Sequence, residues 1–434
     1  MPNVPVPLST KKNTLWNAAG CIFYLGCQWL TTVLVVVLST DYSNSGALAF
    51  AMSVGSMFAS VSLYKMRTYQ VSDISCEHSA NDYIGFRLVS ILFSLIMSCI
   101  YVAAISDNVS FLIATFVFLV FKIDETFVDV LYGVDQKGQR MDYIGKSQFM
   151  RGVLSLVGFV APLVTINSLP AAIIGMAFCC MLVTLFYDLP HARRFGDIKP
   201  SFAHEHLVEL GKACLMPTIA NFLATSIVSI VRQRYGVLAG QELLGIYASI
   251  ATPAVLIQAG ATYLYSPLIG TLAHSLQNGG ATAFKKSFFK VFGLLFACMA
   301  IVTIGFSFVG GPLLELVYGS KIEPYLWIFP YVLGATTSIA ILLYVNDSLL
   351  IMRDGVTQII INALSFAVIV LAADYLITAF GMNGINVAII AACVPAAVAG
   401  TIRIATSKLA SPSAPPSIPQ AAPVDTQALH SKRT

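Results

Sequence analysis

Long apolar stretches alternate with short polar segments along almost the whole chain. Each stretch is close to the roughly 20 residues that an α-helix needs to cross the hydrocarbon core of a bilayer. The pattern therefore predicts an all-α polytopic membrane protein with twelve transmembrane helices. These helices are expected at residues 14–38, 45–64, 87–105, 110–133, 147–166, 169–187, 213–231, 245–268, 288–309, 326–350, 356–378 and 382–404.

Six predicted helices lie on each side of the longest polar segment, so the chain reads as two similar halves. An even number of helices per half means that both halves insert the same way round, as in repeats related by an axis along the membrane normal. We expect five parts. They are a cytoplasmic N-terminus (1–12), an N-terminal six-helix lobe (13–187), a cytoplasmic inter-lobe linker (188–212), a C-terminal six-helix lobe (213–405) and a disordered, Pro/Ala/Ser-rich cytoplasmic tail (406–434).

Composition supports the membrane class. The chain has 434 residues, of which 57% are hydrophobic and only 11% are charged, whereas about 25% of the residues in a soluble domain are charged. The first apolar run is too long for the 7–15-residue core of a signal peptide. It is therefore expected to remain as the first membrane helix.

The positions of Lys and Arg predict the orientation. With the N-terminus inside, all of these residues lie on the cytoplasmic side except Arg232, Arg234 and Lys321 outside and Lys122 within the membrane. Cytoplasmic segments carry an excess of Lys and Arg. Both termini of this multi-pass protein are therefore expected in the cytoplasm.

The predicted helix at 110–133 carries charges in its second half. A charge at the centre of a membrane helix costs about 2.5–3.5 kcal/mol on the insertion scale, so such residues usually face a protein interior or a water-filled cavity. At about 100° per residue, Lys122, Glu125 and Asp129 share one face, and Asp124 points nearly the other way. One ionised face of this helix must therefore lie against polar groups.

Two interpretations of this face stay open. Lys122 and Glu125 have the spacing of a structural ion pair, and the same residues are equally suited to line a cavity. Asp129 lies near the predicted level of Arg151 on the next helix, so an Asp129–Arg151 pair is expected. Asp124 has no partner that the sequence identifies.

Other polar residues occur in predicted helices of both halves. Arg232 and Arg234 face opposite ways; one can extend to lipid headgroups, and the other can bind a phosphate through its planar guanidinium. Membrane-embedded amides form hydrogen bonds between helices or line cavities. The candidates for substrate contact or cavity lining are Lys122, Glu125, Asp129, Arg151, Arg232, Arg234, Gln28, Asn221 and Gln258.

The sequence offers no motif for a metal or a cofactor. The nine cysteines lack paired spacing and suit buried, small apolar positions. The six histidines are expected in loops or the tail, and His204-Glu205-His206 lacks the i, i+4 spacing of a helical zinc site. We therefore expect no metal, no cofactor and no nucleic acid partner, with His204–His206 in a solvated loop.

Three segments resemble bacterial polysaccharide-biosynthesis flippases, which belong to the MATE-like superfamily of multidrug, oligosaccharidyl-lipid and polysaccharide exporters. The segments are NTLWNAAGCIFYLGCQWLTTVLVVV (13–37), YGVDQKGQRMDYIGKSQFMRG (132–152) and GIYASIATPAVLIQAGATYLYSPL (245–268). The resemblance extends over about residues 10–408. It implies two six-helix bundles that form a V around a central cavity.

The resemblance also implies a function. It predicts a non-enzymatic transporter that moves undecaprenyl-pyrophosphate-linked oligosaccharide repeat units across the cytoplasmic membrane, driven by protons or sodium ions, alongside glycosyltransferases and a polysaccharide polymerase. Three alternatives remain: a multidrug or cation antiporter of the same superfamily, a lipid II flippase, and a membrane glycosyltransferase or polymerase. The predicted outer loops contain no folded domain, which disfavours the last of these.

Overall fold

The protein is described from a computed structural model, which covers residues 5–73 and 77–407. The predicted tail therefore lies almost wholly outside the described residues, as do Cys76 and His430. Within them every regular element is a helix, and there is no strand. The α-helices are α1 (Thr10–Leu38), α2 (Ser43–Ser62), α3 (Met66–Ser72), α4 (Ala80–Ile105), α5 (Val109–Lys137), α6 (Met141–Ile166), α7 (Leu169–Val183), α8 (Leu189–Ala192), α9 (His204–Ala239), α10 (Gln241–Tyr318), α11 (Phe329–Ile351), α12 (Gly355–Phe380) and α13 (Gly384–Thr406).

The all-helical prediction is confirmed. Nine helical stretches in the described part of the chain are long and apolar enough to cross a membrane. This number does not test the predicted count of twelve, because one stretch, Gly355–Thr406, joins α12 and α13. In addition, α5 is not among the nine stretches, because it contains too many charged residues. The long α10 also contains a break at Gly280, whose φ of 64° is not helical.

Two local features differ from the sequence prediction. Tyr64 and Lys65 adopt left-handed backbone conformations, which end α2 and start the short helix α3 against α5. Furthermore, α9 begins at His204, so the prediction of a solvated loop at His204–His206 is wrong. The expectation that every histidine lies in a loop or the tail is wrong as well, since His191 and His274 are helical.

We call α1–α8 the first half of the molecule and α9–α13 the second half. The halves pack together mainly through α2, which contacts both α9 and α10. Large apolar side chains are exposed over the outside of the bundle, for example Leu316 and Leu371. An apolar surface of this kind is compatible with the hydrocarbon core of a bilayer. Helices are stable there because they satisfy their own backbone hydrogen bonds.

The two halves approach most closely where α2 and α10 begin. A Cβ atom on Gly46 would lie 1.8 Å from the carbonyl oxygen of Gln241, and one on Gly245 would lie 2.0 Å from that of Tyr42. The Tyr42 hydroxyl also donates to the Tyr318 carbonyl oxygen at 3.3 Å. Only glycine permits this backbone approach, so the two halves are held together at this end of the bundle.

Replacing Gly245 with Ala is expected to lower the free energy of unfolding by about 1–3 kcal/mol, because the new methyl group overlaps a backbone atom that must move. The unfolding temperature of the purified protein in detergent measures this change. Gly260 on the same helix is the matched control, since a Cβ atom there meets no atom within 4 Å. Equal unfolding temperatures for the G245A and G260A variants would contradict the close packing.

Candidate functional site

The charged face of α5 lines a polar cavity of about 290 Å³ inside the first half. We call it the polar cavity. As the helical spacing predicts, Lys122, Glu125 and Asp129 all border it. The other residues around it come from α1, α2, the turn after α2, α3, α5 and α6, and they are Tyr24, Ala59, Leu63, Arg67, Thr126, Val128, Tyr132, Gln148 and Arg151.

Lys122 and Glu125 form an ion pair at the wall of this cavity. The Lys122 Nζ atom lies 2.5 Å from Oε2 of Glu125, and the Tyr24 hydroxyl donates to Oε1 at 3.0 Å. Both charged side chains remain partly exposed. The pair therefore neutralises itself and lines the cavity at the same time, so the two interpretations left open by the sequence coexist.

Asp129 is held by two arginines. Arg87 donates to its Oδ2 at 2.9 Å, and Arg67 donates to its Oδ1 at 3.3 Å. Arg87 is fully buried at 0% exposure. Its other terminal N–H group donates a hydrogen bond to the carbonyl oxygen of Ser62 at 2.6 Å. The predicted Asp129–Arg151 pair is therefore wrong, because arginines on α3 and α4 are closer to this carboxylate.

Arg151 instead binds the carboxylate to which the sequence assigned no partner. Its guanidinium donates to Asp124 at 2.8 Å and lies 3.4 Å from Asp188. Thr184 accepts from the same guanidinium and donates to Asp124 at 2.6 Å. Thr184 and Asp188 bound a π-helical turn, Thr184–Asp188, and such widened turns frequently occur at functional sites.

The network around the polar cavity balances its charges in two layers. The layer at the cavity wall contains Lys122, Glu125, Arg67 and Asp129, all partly exposed. The layer behind it is buried, with Arg87 and Arg151 at 0% and 1% exposure. Four cations and four carboxylates make up the network: Arg67, Arg87, Lys122, Arg151, Asp124, Glu125, Asp129 and Asp188. Arg87 joins the two layers through its contact with Asp129, and the partly exposed charges of the outer layer are the ones that an ionic ligand in the cavity can contact.

A second cavity, of about 160 Å³, lies between the two halves, and we call it the interface cavity. Gln28 and Trp29 on α1 and Arg232 on α9 line it, together with apolar residues such as Leu48 and Met52 on α2. The Gln28 Nε2, Trp29 Nε1 and Arg232 Nε atoms are buried without a hydrogen-bond partner among the described residues. Buried donors of this kind require acceptors, so this cavity suits a ligand that presents oxygen atoms or ordered water.

The remaining candidates lie elsewhere. Arg234 makes a two-point contact with Asp374 on α12, whereas Arg232 lines the interface cavity. Gln258 borders a smaller cavity of about 30 Å³ beside Arg232. Asn221 on α9 is not among the residues that line the polar cavity or the interface cavity.

Several residues of the site were not found from the sequence. The sequence indicates only that Arg67 and Arg87 lie on the cytoplasmic side, because of their charge, and no pattern distinguishes Tyr24 or Trp29. A weak signal did exist for Arg87. It follows the Ser79–Asp82 capping box that starts α4, so this arginine belongs to a helix rather than to a loop.

No protein-family model matches the chain. Over 305 residues, the chain is 24% identical to the capsular polysaccharide biosynthesis protein CapF of Staphylococcus aureus, a match that covers 68% of this chain and 74% of that protein. A multidrug resistance MATE family transporter of the MOP superfamily, solved in an inward-facing conformation, superposes with a TM-score of 0.67 at 12% identity. This match covers 89% of this chain and 98% of that one.

A second MATE structure, in an outward-facing conformation, superposes with a TM-score of 0.57 at 12% identity, over 91% of this chain and 96% of that one. The predicted architecture is thereby confirmed at the level of the fold. The chain has the fold of MATE transporters of the MOP superfamily, and it is a multi-pass membrane protein.

Proposed function

We propose that the protein is a flippase that moves undecaprenyl-pyrophosphate-linked oligosaccharide repeat units across the bacterial cytoplasmic membrane for cell-surface polysaccharide biosynthesis. The observation that carries the proposal is the polar cavity, where Lys122 and Arg67 are partly exposed cations inside a bundle of mainly apolar helices. A pyrophosphate and a sugar chain cannot cross hydrocarbon unaided, because each unpaired polar group costs several kcal/mol there.

In this proposal two carboxylates of the protein bind the same cations that the pyrophosphate of the substrate binds during transport. Glu125 forms an ion pair with Lys122, and Asp129 forms one with Arg67. An incoming pyrophosphate presents the same kind of oxygen ligand and takes over these cations, because both carboxylates and phosphates accept charge-assisted hydrogen bonds. After the exchange Asp129 keeps its contact with Arg87 and Glu125 keeps the hydrogen bond from Tyr24, and the polyprenyl tail stays in the lipid.

The interface cavity supplies the second element of the proposal. The Gln28, Trp29 and Arg232 donors can bind sugar or phosphate oxygens between the two halves. With both termini in the cytoplasm, the Gly46–Gly245 contact closes the outer end of the bundle. The structure would then correspond to an inward-facing state, and transport would open this contact by alternating access coupled to protons or sodium ions.

The relative in Staphylococcus aureus is named for capsular polysaccharide biosynthesis, which favours a polysaccharide substrate for this chain. A multidrug antiporter is the second candidate. It is favoured by the two carboxylates at the wall of the polar cavity, Glu125 and Asp129, because such groups attract cationic drugs. A lipid II flippase would share the pyrophosphate chemistry but not the repeat unit.

A deletion strain distinguishes these candidates. Loss of the gene is expected to abolish surface polysaccharide, measured by gel staining of extracted glycans, and to leave resistance to cationic dyes unchanged. Complementation with the wild-type gene is expected to restore the glycan. Intact polysaccharide together with increased drug sensitivity would refute the flippase and favour the antiporter, and failure of cell-wall synthesis would favour lipid II.

A further inference from the structure

A cluster of potential metal ligands lies away from both cavities, where the start of α9 packs on the start of α4. His78, Asp82 and His206 each offer one ligand atom, and these atoms all lie within 4.8 Å of one another. His78 precedes α4, Asp82 lies in its first turn, and His206 lies in the first turn of α9. His78 and Asp82 are close in the sequence, but His206 lies far along the chain from both, which is why no local motif reveals the three together.

His78 is the residue whose environment calls for a ligand. Its side chain is only 3% exposed, and neither ring nitrogen has a hydrogen-bond partner among the described residues. Its Nε2 atom lies 3.8 Å from the Glu209 Oε2 atom, which is too far for a hydrogen bond. An imidazole always has at least one N–H donor, and a buried polar group without a partner costs about 1–3 kcal/mol.

Glu209 supplies a fourth potential ligand. It follows His206 by three residues on α9, so both side chains lie on the same face of the helix. Its carboxylate is largely exposed, which leaves a path by which an ion can enter from solvent. Two imidazoles and two carboxylates form a donor set that suits divalent transition metals, and Zn²⁺ in particular binds four such ligands tetrahedrally.

The carboxylate of Asp82 is held in place by its neighbours. Its Oδ2 atom accepts from the Ser79 backbone N–H at 3.0 Å and from the Ser79 hydroxyl at 2.6 Å. His206 Nδ1 lies 3.1 Å from the same atom. A carboxylate fixed in this way is suited to bind a metal or to orient a metal-bound imidazole. A simple His206–Asp82 ion pair would explain these two residues but would leave His78 without a partner.

The surrounding contacts show what a metal there would fasten. The Ser201 N–H donates to the carbonyl oxygen of Asn81 at 2.9 Å, and the Lys199 N–H donates to the Asn81 side chain at 2.9 Å. Leu210 and Cys214 of α9 are buried among residues of the first half. The chain that connects the two halves is therefore already attached to α4 at this point.

We propose that His78, Asp82, His206 and Glu209 form a binding site for a divalent transition metal of the Zn²⁺ type, which fastens the start of α9 to the start of α4. Bound metal is expected to stabilise this joint between α4 and α9. The site has no part in the polar cavity, and its existence does not depend on the transported substrate.

The test uses the full-length, tag-free protein in detergent. After treatment with EDTA and removal of the chelator, ZnCl₂ titration by calorimetry is expected to show one site per chain, and Zn²⁺ is expected to raise the unfolding temperature. The His206→Ala and Glu209→Gln variants are expected to bind Zn²⁺ at least about tenfold more weakly. Co²⁺ titration is expected to give the visible absorption of a tetrahedral site in the wild type and not in H206A.

His204→Ala is the matched control, because His204 is exposed, lies on the same helix turn and is not part of the cluster. It is expected to bind as the wild type does. His78→Gln tests the buried ligand, and elution as a single symmetric peak in size-exclusion chromatography verifies its folding. No Zn²⁺ binding by the wild type, or equal weakening in H204A and H206A, would overturn the proposal.

Discussion

Replacing Arg151 with Leu is expected to destabilise the protein by about 3–5 kcal/mol, because the change leaves buried carboxylates without their cation. Arg151 is 1% exposed and contacts both Asp124 and Asp188. It also binds Thr184 within the π-helical turn, so its loss disturbs the helix as well as the charge balance. The unfolding temperature of the purified protein and the yield of folded protein in the membrane measure this effect.

Arg403 provides the control for this experiment. It pairs with Asp354 at 2.8 Å, as Arg151 does with Asp124, but its side chain is 51% exposed. An exposed pair contributes only about 0–1 kcal/mol, so the R403L variant is expected to unfold close to the wild-type temperature. If R151L were as stable as R403L, the buried network would not hold the first half together as described.

Replacing Lys122 with Gln is expected to lower transport by about tenfold or more while the protein remains folded in the membrane. A hydrogen bond to a charged group is worth about 1.5–3 kcal/mol, which corresponds to at least about tenfold in affinity. Lys122 is a partly exposed cation of the polar cavity and forms an ion pair with Glu125. The amount of surface polysaccharide in the complemented deletion strain measures the loss, with immunoblotting of membranes to normalise protein level.

Two further variants sharpen this prediction. Lys146→Gln is the matched control, since Lys146 pairs with Asp142 one turn away and is 44% exposed; it is expected to support normal polysaccharide. Arg232→Gln removes the charge from the interface cavity and is expected to lower transport as K122Q does. Normal polysaccharide in both K122Q and R232Q would refute the substrate roles proposed for the two cavities.

Much of the fold could be predicted from local sequence. A helix that crosses the hydrocarbon core must be apolar over about 20 residues. The approximate positions of such helices could therefore be recognised as long apolar stretches of sequence. The helical repeat likewise placed Lys122, Glu125 and Asp129 on one face, and the structure places all three at one cavity. The sequence did not show how far helices extend beyond their apolar runs. Polar turns such as the start of α9 are stabilised by packing against other parts of the protein, which hydrophobicity does not predict.

The pairing of charges between helices was decided only by the tertiary structure. The sequence gives each residue its rotation about its own helix, but the tilt and separation of neighbouring helices determine which cation meets which carboxylate. Asp129 therefore binds Arg67 and Arg87, while Arg151 binds Asp124. In the same way, the left-handed turn at Tyr64 and Lys65 brings Arg67 to the cavity.

The sequence by itself determined that the helices suit a membrane, where they approximately lie along the chain, and which face of α5 is charged. Each of these depends on composition or on the helical period of 3.6 residues. Only the tertiary structure decided the partners of those charges, the interface cavity and the cluster at His78 and His206. These features join residues from different helices. Their geometry depends on how the helices pack, which no single stretch of sequence specifies.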